Sequence, residues 1–201
     1  MRRLHITFGI LVLAALSACA QSPTDAPTAA PSSTPPAISV PPTVSGSAEE
    51  CPSATPGTLA LRNDDDGYCL LYLEGYTVVV PFAGEICLVP GEPGLACHNM
   101  HVMIEVSGAE GRSAGQVADA LVAEFTELTI PRSTLTIAGE EVAVLDNYPG
   151  VDILRLVLIV HDDRLYRLTF MRGFEAGSED MARADVLYTT LIDSFTFLPA
   201  E

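Results

Sequence analysis

The 201-residue chain contains no lysine; its ten basic residues are all arginine. That excludes a P-loop, whose lysine reaches the phosphates of a bound nucleotide, and no other glycine-rich phosphate loop is present. Basic residues interleaved with aromatics, the footprint of a nucleic-acid surface, are also missing. No hydrophobic run reaches the ~20 residues that a bilayer-spanning helix needs; the apolar stretch Ile6–Leu16 stops at eleven. No two cysteines are spaced C-x-x-C, the usual half of a structural zinc site. Nothing in the chain calls for a cofactor, and no metal centre is expected.

Arg2 and Arg3 precede the apolar stretch, and Ser17 and Ala18 follow it, immediately before Cys19. A positive start, a short apolar core and small residues at its end make an export signal over residues 1–18. Leu16-Ser17-Ala18-Cys19 resembles the lipobox of bacterial lipoprotein signals. The resemblance implies that Cys19 takes a diacylglyceryl group on sulfur, that the chain is cut before it, and that its new amine is open to acylation. Ordinary secretory cleavage near Ala18 or Ala20 is the alternative, and it leaves an odd free thiol in an exported protein. Two or three acyl chains anchor stably where one does not. The expected location is extracytoplasmic, lipid-anchored to a bacterial membrane.

All 26 acidic residues lie after Cys19, against eight arginines, so the chain from Cys19 onward carries −18. Such a charge favours solubility and repels nucleic acid and anionic headgroups. It leaves a basic partner surface or divalent cations as counterparts, although a solvated acidic surface explains it as well. From Ala20 to about Glu50 the chain is dominated by Pro, Ser, Thr and Ala. Without apolar periodicity it cannot bury enough to fold, so residues 19–50 read as a lipidated cysteine followed by a disordered tether. Such a tether reaches ~90 Å if extended and ~30 Å root-mean-square if flexible.

Residues 51–201 read as one globular domain of ordinary size. Cys51, Cys69, Cys87 and Cys97 are four cysteines in an exported domain, which suggests two disulfides. Three pairings are open. Cys87 and Cys97 flank "LVPGEPGLA", whose Pro and Gly breaks centre a hairpin between them. The preferred pairing is therefore Cys87–Cys97 with Cys51–Cys69.

Apolar periodicity gives the elements. Tyr68–Leu73 and Tyr76–Pro81 read as a hairpin around Glu74-Gly75, and His101–Ser107 as a strand. A first helix over 113–128 places Val117, Leu121, Phe125 and Leu128 on one face, with Ser113 and Gln116 as a capping box. A second hairpin turns at Gly139 and a third at Asp162-Asp163. Ile153–Val160 is almost wholly apolar, so it should be covered on both faces; Tyr166, Leu168 and Phe170 share one face of the following arm. A second helix starts at the cap Ser178, with Glu179 and Asp180 in its first turn, and "DSFTF" closes as a strand. The class is α+β, an antiparallel sheet built from hairpins with two main helices.

Over about Gly67–Leu198 the "GYCLLYLEGYTVVVP" hairpin, the "IAGEEVAVL" turn followed by the "LVLIVHDDRLYRLTF" hairpin, and the closing helix ending in "LIDSFTF" resemble the PsbP-like (Mog/PsbP) fold. That family includes photosystem extrinsic subunits and Ran-binding proteins, and its bacterial members are often lipoproteins. Roles so diverse on one fold imply no single function, and no functional residue of the family has a match here.

Three segments hold residues of chemical interest. "GRSAG", Gly111–Gly115, fits G-x-S-x-G, with Asp146, Asp152 and His161 following in hydrolase order; Ser113 as nucleophile competes with Ser113 as helix cap. "NDDDGY" resembles a calcium loop, but an EF-hand match needs acids where Arg62 and Leu73 stand; Asp64, Asp65 and Asp66 remain candidates for a looser site. "CHNMH" offers His98 and His101 without a third ligand nearby. The expected role is a non-enzymatic protein-interaction module with an envelope protein as partner. A small-ligand or divalent-cation binder is the second expectation, and a serine hydrolase using Ser113 the third.

Overall fold

The computed structural model describes residues 50–92 and 97–199. The expected export signal 1–18, Cys19 and the expected tether through residue 49 lie outside the described residues.

The domain opens with a hairpin absent from the sequence expectation. Thr58–Asn63 (β1) pairs antiparallel with Tyr68–Leu73 (β2), Asn63 opposite Tyr68. The turn between them is "DDDG". Asn63 holds it: its Oδ1 accepts from the Asp66 amide at 3.1 Å, its Nδ2 donates to Asp66 Oδ2 at 2.7 Å, and its carbonyl accepts from the Gly67 amide at 2.9 Å. Gly67 closes the turn at φ 73°, where a side chain is disfavoured.

The expected hairpin of Tyr68–Leu73 with Tyr76–Pro81 does not form. Tyr76–Val79 (β3) instead pairs with Glu85–Pro90 (β4), in a different sheet. The physical reason lies in the corner. Of Glu74 and Gly75 only Gly75 has positive φ, 84°. A two-residue hairpin loop of type I′ needs both, and a positive φ at the second position alone splays the strands. The hairpins of the larger sheet that turn on two residues meet that requirement, with Ala138 and Gly139 at 48° and 88° and Asp162 and Asp163 at 47° and 59°.

The remaining elements are Val102–Gly108 (β5), Ala114–Ala123 (α1), Arg132–Ile137 (β6), Glu140–Pro149 (β7), Ile153–His161 (β8), Arg164–Met171 (β9), Glu179–Ser194 (α2) and Thr196–Phe197 (β10). Among the described residues β1, β2 and β10 form a three-stranded sheet, and the other seven strands run in the order β3-β4-β5-β9-β8-β7-β6, every neighbour antiparallel. The α+β class holds.

One face of the larger sheet packs on α2 and the small sheet. Tyr166, Leu168 and Phe170 of β9, Val157 and Ile159 of β8, Leu187 and Leu191 of α2 and Tyr68 and Leu70 of β2 share that core. The other face meets α1 through Val117 and Ala118, over Leu156 and Leu158 of β8. Strand β8 is thus covered on both sides, which explains its unbroken apolar run. Both caps form: Ser178 Oγ accepts from the Met181 amide at 3.1 Å, and the Ser113–Gln116 box closes α1.

α1 ends five residues short of the expected Leu128. Phe125 leaves the helical path to meet Tyr148 edge to face, ring centroids 5.3 Å apart, and Leu128 is exposed. Cys51 pairs with Cys69 and Cys87 with Cys97, Cα atoms 5.6 and 5.8 Å apart. Cys87 sits in β4, but Cys97 lies in the turn before β5 rather than on a facing strand.

Candidate functional site

The β8–β9 turn and the β1–β2 turn lie side by side at one end of the domain. Tyr166 Oη donates to the Asp66 carbonyl at 3.0 Å, and the Leu198 amide donates to the Gly67 carbonyl at 2.9 Å. Between them lies a cleft of about 590 Å³. Its walls carry charge of both signs, Arg62 and Arg164 with Asp64, Asp65 and Asp162, and His161 stands among them. Tyr166, Leu198 and Pro199 supply apolar surface.

His161 is held on three sides. Its ring stacks on Phe197 at 3.9 Å and 12°, Nδ1 lies 2.8 Å from Glu140 Oε1, and Nε2 lies 3.4 Å from Asp162 Oδ2. Asp163, next along the turn, ties it to the start of α1. Its carbonyl accepts from Ala109 and its carboxylate from Gly111, each at 2.7 Å. Both polar ends of its residue are thereby used, which supports an Asp in left-handed backbone.

Beneath the β1–β2 turn, the Tyr68 hydroxyl is fully enclosed and has no hydrogen-bond partner among the described residues. Burial pushes its phenol up to about 12, with the neighbouring Asn63 side chain opposing although it makes no hydrogen bond of good geometry. Tyr166, which faces the cleft, is raised for the same reason, opposed by the neighbouring Arg164 guanidinium.

The three candidate calcium ligands do not converge. Asp64 is ion-paired with Arg62 at 2.6 Å, and Asp66 accepts from Asn63. Among the described residues no group of three or more His, Cys, Asp or Glu comes together to hold a metal ion. The acidic loop does border the cleft through Asp64 and Asp65.

The residues of the G-x-S-x-G reading are also apart. Ser113 Oγ accepts from the Gln116 amide at 3.2 Å, and Gln116 Oε1 accepts from the Ser113 amide at 2.9 Å. Asp146 pairs with Arg155 at 2.6 Å, and His161 with Glu140. No hydrogen bond among the described residues joins Ser113, Asp146, Asp152 and His161 to one another.

The two histidines of "CHNMH" part as well. His98 is exposed in a turn, whereas His101 is only 5% exposed. Its Nδ1 lies 2.7 Å from Tyr76 Oη, and its ring packs on Phe174 at 4.7 Å. Burial pushes the imidazole below its ordinary value, as does Arg183, with Asp180 opposing.

A second feature at the same end of the sheet is the β3–β4 tip. Val80 is 65% and Phe82 70% exposed, on either side of Pro81. The tip is fixed at its base, where the Gly84 carbonyl accepts from the Val106 amide at 2.8 Å. A hollow of about 280 Å³ beside it is floored by Glu105 and Arg167, paired through two bonds of 2.6 and 2.8 Å.

Sequence reasoning singled out the acidic loop but missed Arg164 as its counterpart across the cleft. The signal was present: in "RLYRLTF" Arg164 shares its strand face with Tyr166 and Leu168, at two-residue spacing.

The arrangement defines an α+β domain, two helices on antiparallel sheets, with a polar cleft at the turn end. Comparison with known protein families and with curated protein sequences finds no match. Among solved structures, the chain is similar to the solution structure of cyanobacterial PsbP (CyanoP) from Synechocystis sp. PCC 6803. The identity is 12% and the TM-score 0.46, over 74% of this chain and 97% of that one. No residue role is carried across.

Proposed function

We propose that this chain is an exported lipoprotein, anchored through Cys19, whose domain is a non-enzymatic protein-interaction module of the cell envelope. The observation that carries the interaction reading is the β3–β4 tip, where Val80 and Phe82 stand exposed on a hairpin braced at its base. Aromatic side chains presented in this way are frequent anchors of protein interfaces. Anchoring rests on the Leu16–Cys19 sequence; no helix among the described residues is long and apolar enough to cross a membrane.

Crosslinking in native membranes, with anchor and tether intact, tests the reading. A recurrent protein partner lost on Phe82→Ser, with the domain still folded, is the expected result. A partner set indifferent to Val80 and Phe82 contradicts it. A second reading, a small-ligand binder, is favoured by the cleft between the two acidic turns.

A further inference from the structure

Eight arginines follow Cys19, in a chain with 26 acidic residues. Seven of them stand in ion pairs with carboxylates of the same domain. Arg164 forms none among the described residues, although three aspartates line the cleft it borders. The backbone accounts for this. Arg164 opens β9 opposite His161, and its side chain runs toward the β1–β2 turn, where Nη1 reaches the Asp65 carbonyl at 3.5 Å. A Cβ on Gly67 would stand 3.3 Å from that nitrogen, so the glycine leaves the guanidinium its room.

The result is an exposed guanidinium at the cleft wall, in long contact with the Asp65 carbonyl and beside the Tyr166 hydroxyl, with no carboxylate partner among the described residues. A planar fork of donors in that condition suits a carboxylate or phosphate, which it binds through paired charge-assisted bonds. The same cleft presents the Asp65 and Asp162 carboxylates, which suit an ammonium. Tyr166 and Leu198 give the intervening apolar contact.

We propose that the cleft binds a zwitterion: a small molecule whose carboxylate or phosphate pairs with Arg164 and whose primary ammonium faces Asp65 and Asp162. A free dipeptide and an ethanolamine phosphate headgroup share this chemistry, and both fit within about 590 Å³. The proposal rests on the reading of the cleft as a ligand site and adds the class of ligand.

The test uses the full-length protein in detergent micelles, with the His161 ring resonances as reporter of the cleft. The probes are alanylalanine, its C-terminal amide, its N-acetyl form and phosphoethanolamine. Saturable shifts with a zwitterion are expected. Alanylalanine alone points to a peptide source and phosphoethanolamine alone to a headgroup. Blocking either charge of the dipeptide should weaken binding about tenfold or more, the effect of losing one charge-assisted contact. Arg164→Gln should weaken the zwitterion by the same factor, with Arg164→Lys partly restoring it and Arg112→Gln without effect. If Arg164→Gln does not fold, the comparison of dipeptide with its amide on the native chain decides. Binding that survives both the blocked probes and Arg164→Gln overturns the proposal. Saturation by putrescine, glucose or calcium, but by no zwitterion, leaves a ligand site and overturns the zwitterion. No shift with any probe to about 10 mM, weaker than any useful affinity, overturns both.

Discussion

Replacing Ser113 separates a structural serine from a reactive one. Its hydroxyl accepts from the Gln116 amide at 3.2 Å, and the Gln116 side chain returns the bond to the Ser113 amide at 2.9 Å. Ser113→Ala therefore removes one acceptor at the start of a helix only ten residues long. The expected loss is about 1 kcal/mol, the usual value of an N-cap. For a domain of this size that lowers Tm by about 2–4 °C. Ser113→Asp keeps an acceptor in place and adds a negative charge to a helix start with no acidic residue in its first turn. It should match or exceed the native stability, because the charge complements the macrodipole. Ser113→Ala and Gln116→Ala together should cost less than the sum of the two, since each breaks part of one reciprocal unit. Urea denaturation with the disulfides intact measures these four variants beside the native protein. The reasoning fails if Ser113→Ala keeps the native urea midpoint while Ser113→Asp has the lowest, midpoints at unchanged slope being free of the extrapolation error.

Three other outcomes follow from the packing. Leu187→Ala empties a fully buried position where α2 meets both sheets and should cost about 2–5 kcal/mol, while the neighbouring Val186→Ala, 54% exposed, should stay within about 0.5 in denaturant unfolding. His101 is buried with its imidazole held below the ordinary 6.5; the unfolded chain takes up a proton near that pH before the folded one does, so stability should fall as the pH drops below about 6.5 and level off once the folded imidazole is also charged. His101→Gln should flatten that part of the profile, and an unchanged profile would remove His101 as its source. Thiol counting on the protein isolated without reductant should find no free thiol among Cys51, Cys69, Cys87 and Cys97, and reduction should cost about 3 kcal/mol per bridge, given loops of ten to eighteen residues.

The sequence disclosed the elements better than their partners. The apolar run of β8 and the alternation of β9 were legible because burial on two faces, or one, writes itself into residue order. The caps at Ser113 and Ser178 were legible because a short side chain bonding three residues ahead is local chemistry. Two errors arose where a backbone angle or a distant contact decides. Glu74-Gly75 looked like a hairpin turn, yet its strands part, and the true partners β1 and β10 lie before and far after β2. The "TLALRN" of β1 is weakly patterned and nowhere fully buried, so it gave no strand signal of its own. Phe125 fitted the face of α1, but Tyr148, more than twenty residues on, draws it out. For the cleft, the acidic loop was visible and its opposite wall was not. Arg164 and His161 reach it only because a tight turn at Asp162-Asp163 aims the β8–β9 hairpin at the β1–β2 turn.

The functional reading depends first on Cys19, and the intact mass of the mature chain isolated from native membranes tests it most directly. The account predicts a chain beginning at Cys19, heavier than its sequence by a diacylglyceryl group, with or without a further acyl chain on the amine. A mature chain beginning near Ala20, or one retaining Cys19 as an unmodified thiol and released by high salt, would contradict the anchor. The domain would then have to be read as a freely diffusing protein.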